Sequence, residues 1–304
     1  MEIRFWGTRG SIPSPGPQTL EFGGNTSCLE VILASGRRIV IDAGTGIRPL
    51  GEHLQTSVAT VRFHLLLTHN HWDHLLGLPF FAPIYREDTE IMVDGWPLAF
   101  QALTRIFDDH MGDGFFPVAW DQLKASISFI NRLARGPLLL DDVRIDAIPL
   151  NHPQGCLGFR FREMDHTMVF ITDNELGLGD GHRFGDFVHF VRGCDLLIHD
   201  AQYLPEEIED HRGWGHSTYE EAVSLALEGG VKRLILTHHD PNRSDAQVRE
   251  IVVRARRQVA ARQGALKLEA AREGDIYRLP EIIPLKKRSP AAAPRNRNQK
   301  IQEG

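Results

Sequence analysis

Three cysteines in 304 residues, Cys28, Cys156 and Cys194, are too few and too scattered for a disulfide framework. None forms a CxxC pair, so each reads as a small, buried apolar side chain. No run approaches the roughly 20 apolar residues that a membrane helix needs. The start, Met-Glu-Ile-Arg-Phe-Trp-Gly, lacks the basic region and apolar run of a signal peptide. Together these absences predict a cytoplasmic protein with no membrane association. Positive charge is not in excess either. Lys and Arg number 34 against 40 Asp and Glu, a net charge of −6, which argues against strong general nucleic-acid binding. A small anionic substrate stays open, because bound metal ions can supply local positive charge.

What is present suits one large domain with its own core: 42% of the residues are hydrophobic and 24% charged. Apolar runs predict strands at 2–6, 28–33, 38–41, 62–67, 143–149, 156–162, 168–172, 195–198, 233–236 and 276–279. Helical spacing is read at 48–54, 217–227 and 244–263, with Ser217 and Glu220 as a capping box for the second. Strands, then alternating helix and strand, imply an α/β fold with helices packed outside the sheets. Residues 83–135 are less regular and read as an insertion, helical near 96–109, that serves as a lid or a homo-oligomer interface. The expected domain spans 1–283. The basic, Pro/Ala/Asn/Gln-rich segment 284–304 is expected to be disordered.

The 15 histidines are unevenly spread. His69, His71, Asp73 and His74 follow an apolar strand directly, and strand ends are where α/β proteins expose functional groups. Imidazole and carboxylate suit Zn²⁺, Mn²⁺ or Fe²⁺. Further metal-ligand types follow later strands: His152 after 143–149, Asp173 after 168–172, and His238 with its neighbour His239 after 233–236. His64, inside a strand, reads as a packed residue, and His110, His166, His182, His189 and His211 as surface. Gly23-Gly24-Asn25-Thr26 reads as a turn that could approach the metals. Phe115, Phe116 and Trp120 suit either core packing or stacking on a base.

The His-x-His-x-Asp-His run, with the later His152, Asp173 and His238 in that order, resembles the metallo-β-lactamase superfamily over roughly residues 1–279. The resemblance implies a four-layer αββα sandwich with two divalent metals, Zn or Mn with Fe also accommodated, at one edge of the sheets. By position, His69, His71 and His152 would hold one metal and Asp73, His74 and His238 the other, with Asp173 bridging and His239 as the alternative to His238. Asp42 would orient the histidine loop from behind the ligands. Asn70 stands where the oxygen-reducing di-iron branch carries an acid, so the resemblance is to hydrolytic members. Ile198-His199-Asp200-Ala201, Gly215-His216-Ser217-Thr218 and the opening Trp6-Gly7-Thr8-Arg9-Gly10-Ser11 resemble the ribonuclease Z and small phosphodiesterase branch. There His216 would face the substrate phosphate, held by Asp200. A carboxylate beside an imidazole favours its protonated form, which can stabilise phosphorus or protonate a leaving oxygen.

The expected reaction is hydrolysis of a small or cyclic phosphodiester, a cyclic nucleotide among them, by hydroxide that two metals share. Asp73 would help to orient or deprotonate that nucleophile, and His216 would assist the leaving oxygen. No long basic arm for a transfer RNA is visible, and the acidic net charge fits a polyanion poorly. Three rivals remain: an acyl hydrolase for a lactone or thioester on the same metals, a ribonuclease Z-like RNA 3′-processing nuclease, and a non-catalytic metal-binding module.

Overall fold

The strand that leads into the histidine loop, β4 (Val61–Leu67), is buried at every residue except Arg62. A strand covered on both faces must lie between another sheet and a layer of helices. A computed structural model, which describes residues 1–58, 60–98, 101, 103, 118–177 and 183–280, shows that arrangement. β1 (Glu2–Gly7), β2 (Cys28–Ile32), β3 (Arg38–Ile41), β4, β5 (Thr89–Gly95), β6 (Ser126–Phe129) and β14 (Ile276–Arg278) form one sheet, in the order 14-1-2-3-4-5-6. β7 (Leu138–Leu140), β8 (Val143–Leu150), β9 (Cys156–Glu163), β10 (His166–Ile171), β11 (Leu196–Asp200), β12 (Arg233–Thr237) and β13 (Lys267–Ala270) form the second, in the order 13-12-11-10-9-8-7.

Strand alternation builds the layers. On β3, Ile39 and Ile41 face the inter-sheet core while Val40 faces α1 (Ile47–Ser57). On β10, Met168 and Phe170 enter the inter-sheet core. Val169 and Ile171 instead meet α2 (Phe184–Val191), α3 (Tyr219–Glu228) and α4 (Asp245–Ala261). The result is a four-layer αββα sandwich. β8, β10, β11 and β12 run in one direction, so their C-terminal ends share one edge of the second sheet. The end of β4 is tied to that edge, where Leu157 N–H donates to Thr68 O at 3.0 Å.

Several expectations change. Residues 83–135 are not simply a lid, because β5 and β6 pair in parallel with β4 and each other inside the first sheet. The helix expected at 96–109, Phe115, Phe116, His110, His182 and the tail lie wholly or largely outside the described residues. Trp120 is partly buried against the first sheet's outer core and stands 6.3 Å from Phe129, so core packing describes it. The cap of α3 is Thr218, which accepts from Glu221 N–H while Glu221 receives Thr218 N–H. Ser217 lies one residue before the cap, and its hydroxyl is engaged elsewhere, accepting from Leu176 N–H at 3.2 Å and donating to Asn174 O at 2.6 Å. The three cysteines are buried and unpaired. No described helix is long and apolar enough to cross a membrane.

Candidate metal centre

The loop after β4 makes a tight 3-10 turn at Trp72–His74, which brings Asp73 and His74 back toward His69. His152 follows β8, Asp173 follows β10, and His238 follows β12. Among the described residues two donor sets share Asp173, and a third group, Asp200, His216 and His238, adjoins them. His69, His71, His152 and Asp173 form one, and Asp73, His74, Asp173 and His238 the other, each with ligand atoms within 4.8 Å of one another.

The spacings suit metal ions. Four ligands placed tetrahedrally about 2.1 Å from a Zn²⁺-sized ion are separated by about 3.4 Å. Asp173 Oδ1 lies 3.3 Å from both His74 Nε2 and His238 Nε2, and Asp73 Oδ2 lies 3.2 Å from the same two nitrogens. Asp173 Oδ2 lies 3.6 Å from His69 Nε2 and 3.7 Å from His152 Nε2. One oxygen of Asp173 therefore faces each set, the geometry of a bridging ligand. His69 Nε2 and His74 Nε2 are buried and make no hydrogen bond, so the cluster holds donors that a cation would satisfy. The residues fit a pair of divalent ions.

Protonation differs between the two sets, low in His69 and His152 and high in His74 and His238. Burial, with His74 close by, pushes His69 well below the usual imidazole range, and burial takes His152 down to about 4. Both are thus neutral, as metal ligands must be. Burial opposes ionisation of Asp73 and Asp173, yet the surrounding histidines hold both carboxyls well below their ordinary value. His74 is held high despite its burial, because Asp73, Asp173 and Asp42 converge on it.

The supports behind the ligands are specific. Asp42 Oδ2 accepts from His74 Nδ1 at 2.7 Å, and its other oxygen receives Thr68 N–H at 2.8 Å. Thr68 Oγ1 in turn lies 3.0 Å from His69 Nδ1. One carboxylate thus orients ligands of both sets, as the sequence implied. Asp42, Asp173 and His238 all hold positive φ, at 63°, 43° and 57°. Non-glycine residues there store strain, and such strain gathers at functional sites.

His216 and Asp200 come together as expected. His216 Nδ1 donates to Asp200 Oδ2 at 2.9 Å, and Asp200 Oδ1 receives Ser217 N–H at 3.1 Å. The His216 ring stacks on His238 at 5.0 Å and meets His152 edge-on at 5.2 Å. His239 is no substitute for His238: its Nε2 lies 3.0 Å from Ala271 O and its ring sits against Phe22. The Gly23–Thr26 segment is likewise engaged elsewhere, with Asn25 bound to Glu273 and Thr26 to Thr45.

Other residues of the site escaped sequence reasoning. Gln202 Oε1 accepts from His238 Nδ1 at 2.9 Å, and Gly215 O from His152 Nδ1 at 3.0 Å. Ser11 N–H donates to Asp73 Oδ2 at 2.8 Å. Two glycines approach ligand rings closely: a Cβ would lie 2.3 Å from His238 Nδ1 at Gly10 and 2.1 Å from His152 Nδ1 at Gly215. These contacts join segments far apart in sequence; Gly10, Ser11 and Gly215 sit in the motifs read above, whereas Gln202 lies in none.

Comparison with known proteins agrees with this geometry. The family described as "Beta-lactamase superfamily domain" matches residues 37–239. A ribonuclease Z from Bradyrhizobium sp. (strain ORS 278) is 28% identical over 288 residues, covering 81% of this chain and 92% of the relative. A diphosphatase of the PhnP family superposes with TM-score 0.63 at 17% identity, covering 93% of this chain and 99% of its own. The short form of human tRNase Z gives 0.59 at 19% identity, covering 92% and 100%.

Proposed function

This chain belongs to the beta-lactamase superfamily and is a metal-dependent hydrolase, and from that premise we propose that it hydrolyses a small or cyclic phosphodiester, cyclic nucleotides included. The observation that carries the reading is the Asp200–His216 pair beside the two donor sets, within ligand distance of His238. Two divalent ions, Zn²⁺ or Mn²⁺, when bound, would polarise a phosphoryl oxygen and bring the pKa of a water near neutrality.

The chain's own residues do the rest. Asp173 sets the separation of the two donor sets, and Ser11 N–H fixes the Asp73 carboxylate that orients the nucleophile. Gln202 fixes the ring of His238. His216, with Nδ1 tied to Asp200, offers Nε2 to the oxygen that leaves phosphorus. A fixed imidazole can deliver a proton there or stabilise the developing charge. An acyl substrate has less use for this second imidazole, which is why phosphorus is preferred to a lactone or thioester. The net charge of −6 supports a small substrate over a polyanion, and we place the reaction in the cytoplasm.

A second reading has its own support. The relative that is 28% identical across most of both chains is named a ribonuclease Z, so RNA 3′-end processing is the rival. The deciding experiment compares turnover of bis(4-nitrophenyl) phosphate, 2′,3′- and 3′,5′-cyclic nucleotides, a 3′-extended transfer RNA and an activated lactone by the metal-loaded protein. Preference for small diesters is expected. Faster cleavage of the transfer RNA, or of the lactone, would replace this assignment with the corresponding rival.

A further inference from the structure

Glu175, two residues beyond the bridging Asp173, is fully buried. Its Oε2 receives two backbone N–H groups, Gly213 at 2.9 Å and Gly215 at 3.1 Å. Oε1 makes no hydrogen bond, and Arg212 Nη1 stands 3.8 Å away. A buried carboxylate is costly unless paired and hydrogen-bonded, so one that keeps an unbonded oxygen points to a role beyond stability.

The turn it grips leads into His216. Gly213 and Gly215 hold φ of 84° and 85°, a region glycine enters without a Cβ penalty. Successive N–H groups in such a turn form a concavity for an anion, and here the protein's own carboxylate fills it. The backbone of Glu175 is anchored too: its N–H donates to Asn151 O at 2.9 Å, and its carbonyl receives Asn151 Nδ2 at 3.0 Å. The anchor thus reaches from the end of β10 to the turn. Asp200 orients the imidazole of His216 and holds Ser217 N–H on its C-terminal side, whereas Glu175 holds the turn on its N-terminal side.

We propose that Glu175 is a positioning residue that sets the backbone turn 213–216 and so the place of His216. It holds the backbone before His216, as Asp200 holds the ring and the backbone just after it. The proposal rests on the role given to His216 above.

The test combines a double-mutant cycle with hydrogen–deuterium exchange on the full-length, metal-loaded protein. Glu175→Ala is expected to lower kcat on a 2′,3′-cyclic nucleotide, whose alkoxide leaving group needs a proton, by about 10-fold, part of the ~10²-fold that a positioned acid contributes. KM and two metals per chain should be retained. Because both N–H bonds go to one oxygen, the amide oxygen of Glu175→Gln can accept them, and this variant should recover most of the rate. In a His216→Ala background, Glu175→Ala should change kcat by less than about 2-fold, since residues acting as a unit are not additive. Exchange in peptides covering 211–218 should rise in Glu175→Ala, which needs no turnover to observe. Equal losses in both backgrounds would overturn the proposal. So would unchanged exchange, or metal loss with activity restored by excess metal, which would make the turn a support for His152 instead. Failure of the parent enzyme on the diester would sink the phosphodiesterase reading, while exchange would still report on the turn.

Discussion

Asp200 accepts from His216 Nδ1 at 2.9 Å with one oxygen and from Ser217 N–H at 3.1 Å with the other. The carboxylate therefore fixes both the ring and the start of the segment that leads into α3. His216→Ala should lower kcat on a small phosphodiester by about 10²-fold. Asp200→Asn should lose about 10- to 100-fold by freeing the ring. Both should keep two metals per chain, checked by elemental analysis beside steady-state kinetics. Retained activity in His216→Ala would end its role as an acid.

Gly10 leaves no room for a side chain. A Cβ there would lie 2.3 Å from His238 Nδ1 and 2.8 Å from Gln202 Oε1. Gly10→Ala should displace His238 and break its bond to Gln202. The expected outcome is one metal per chain instead of two, with activity largely lost and rescued in part by excess metal. Two tightly held metals in this variant would show that the loop simply moves aside.

Asp42 binds His74 and Thr68 at once. Asp42→Ala should weaken metal binding by about 10- to 100-fold, the usual loss when a residue that orients ligands is removed. A chelator competition titration measures it. The metal-free protein should also lose about 1–3 kcal/mol, because Thr68 N–H is left buried without its acceptor. Denaturant unfolding checks that figure.

His64 gives a pH dependence away from the metals. It is 2% exposed on β4, its Nδ1 has no partner, and burial, with Arg37 close by, takes its pKa down to about 4. The unfolded chain, with a pKa near 6.5, binds the proton more readily than the folded one. Stability contributed by neutral His64 is therefore complete above about pH 6.5 and is lost as pH falls toward 4, on the order of 3 kcal/mol in all. His64→Leu should flatten the profile between pH 7 and 4.5 in urea unfolding experiments. An unchanged slope would refute the assignment.

The cap of α3 distinguishes neighbouring hydroxyls. Thr218→Ala should cost about 1 kcal/mol, as lost N-caps do, with kcat nearly unchanged. Ser217→Ala removes a bond to Asn174 O beside the metal centre, so it should reduce activity as well as stability.

The centre was legible in the sequence wherever a polar residue follows an apolar run. The loop at 69–74, His152, Asp173 and His238 each mark a strand end, and parallel strands place such ends on one edge. β5, β6, β7, β13 and α2 were not legible. β6 alternates half-buried with exposed side chains and β7 has three residues, so neither carries enough period to stand out. β13 is a four-residue edge strand. The cap of α3 is Thr218 and not Ser217, whose hydroxyl bonds Asn174 O 43 residues away.

The type of metal donor, the strand ends that carry it and an α/β fold with helices outside the sheets follow from local period and residue chemistry in the sequence, while the four-layer αββα order was implied by the family resemblance. The folded chain excludes His239 as the alternative to His238, and it alone reveals that Gln202 and Gly215 fix ligand rings and that Glu175 grips the His216 turn. Those choices depend on which backbone groups meet after the two sheets close. A chain read residue by residue does not contain that distance information.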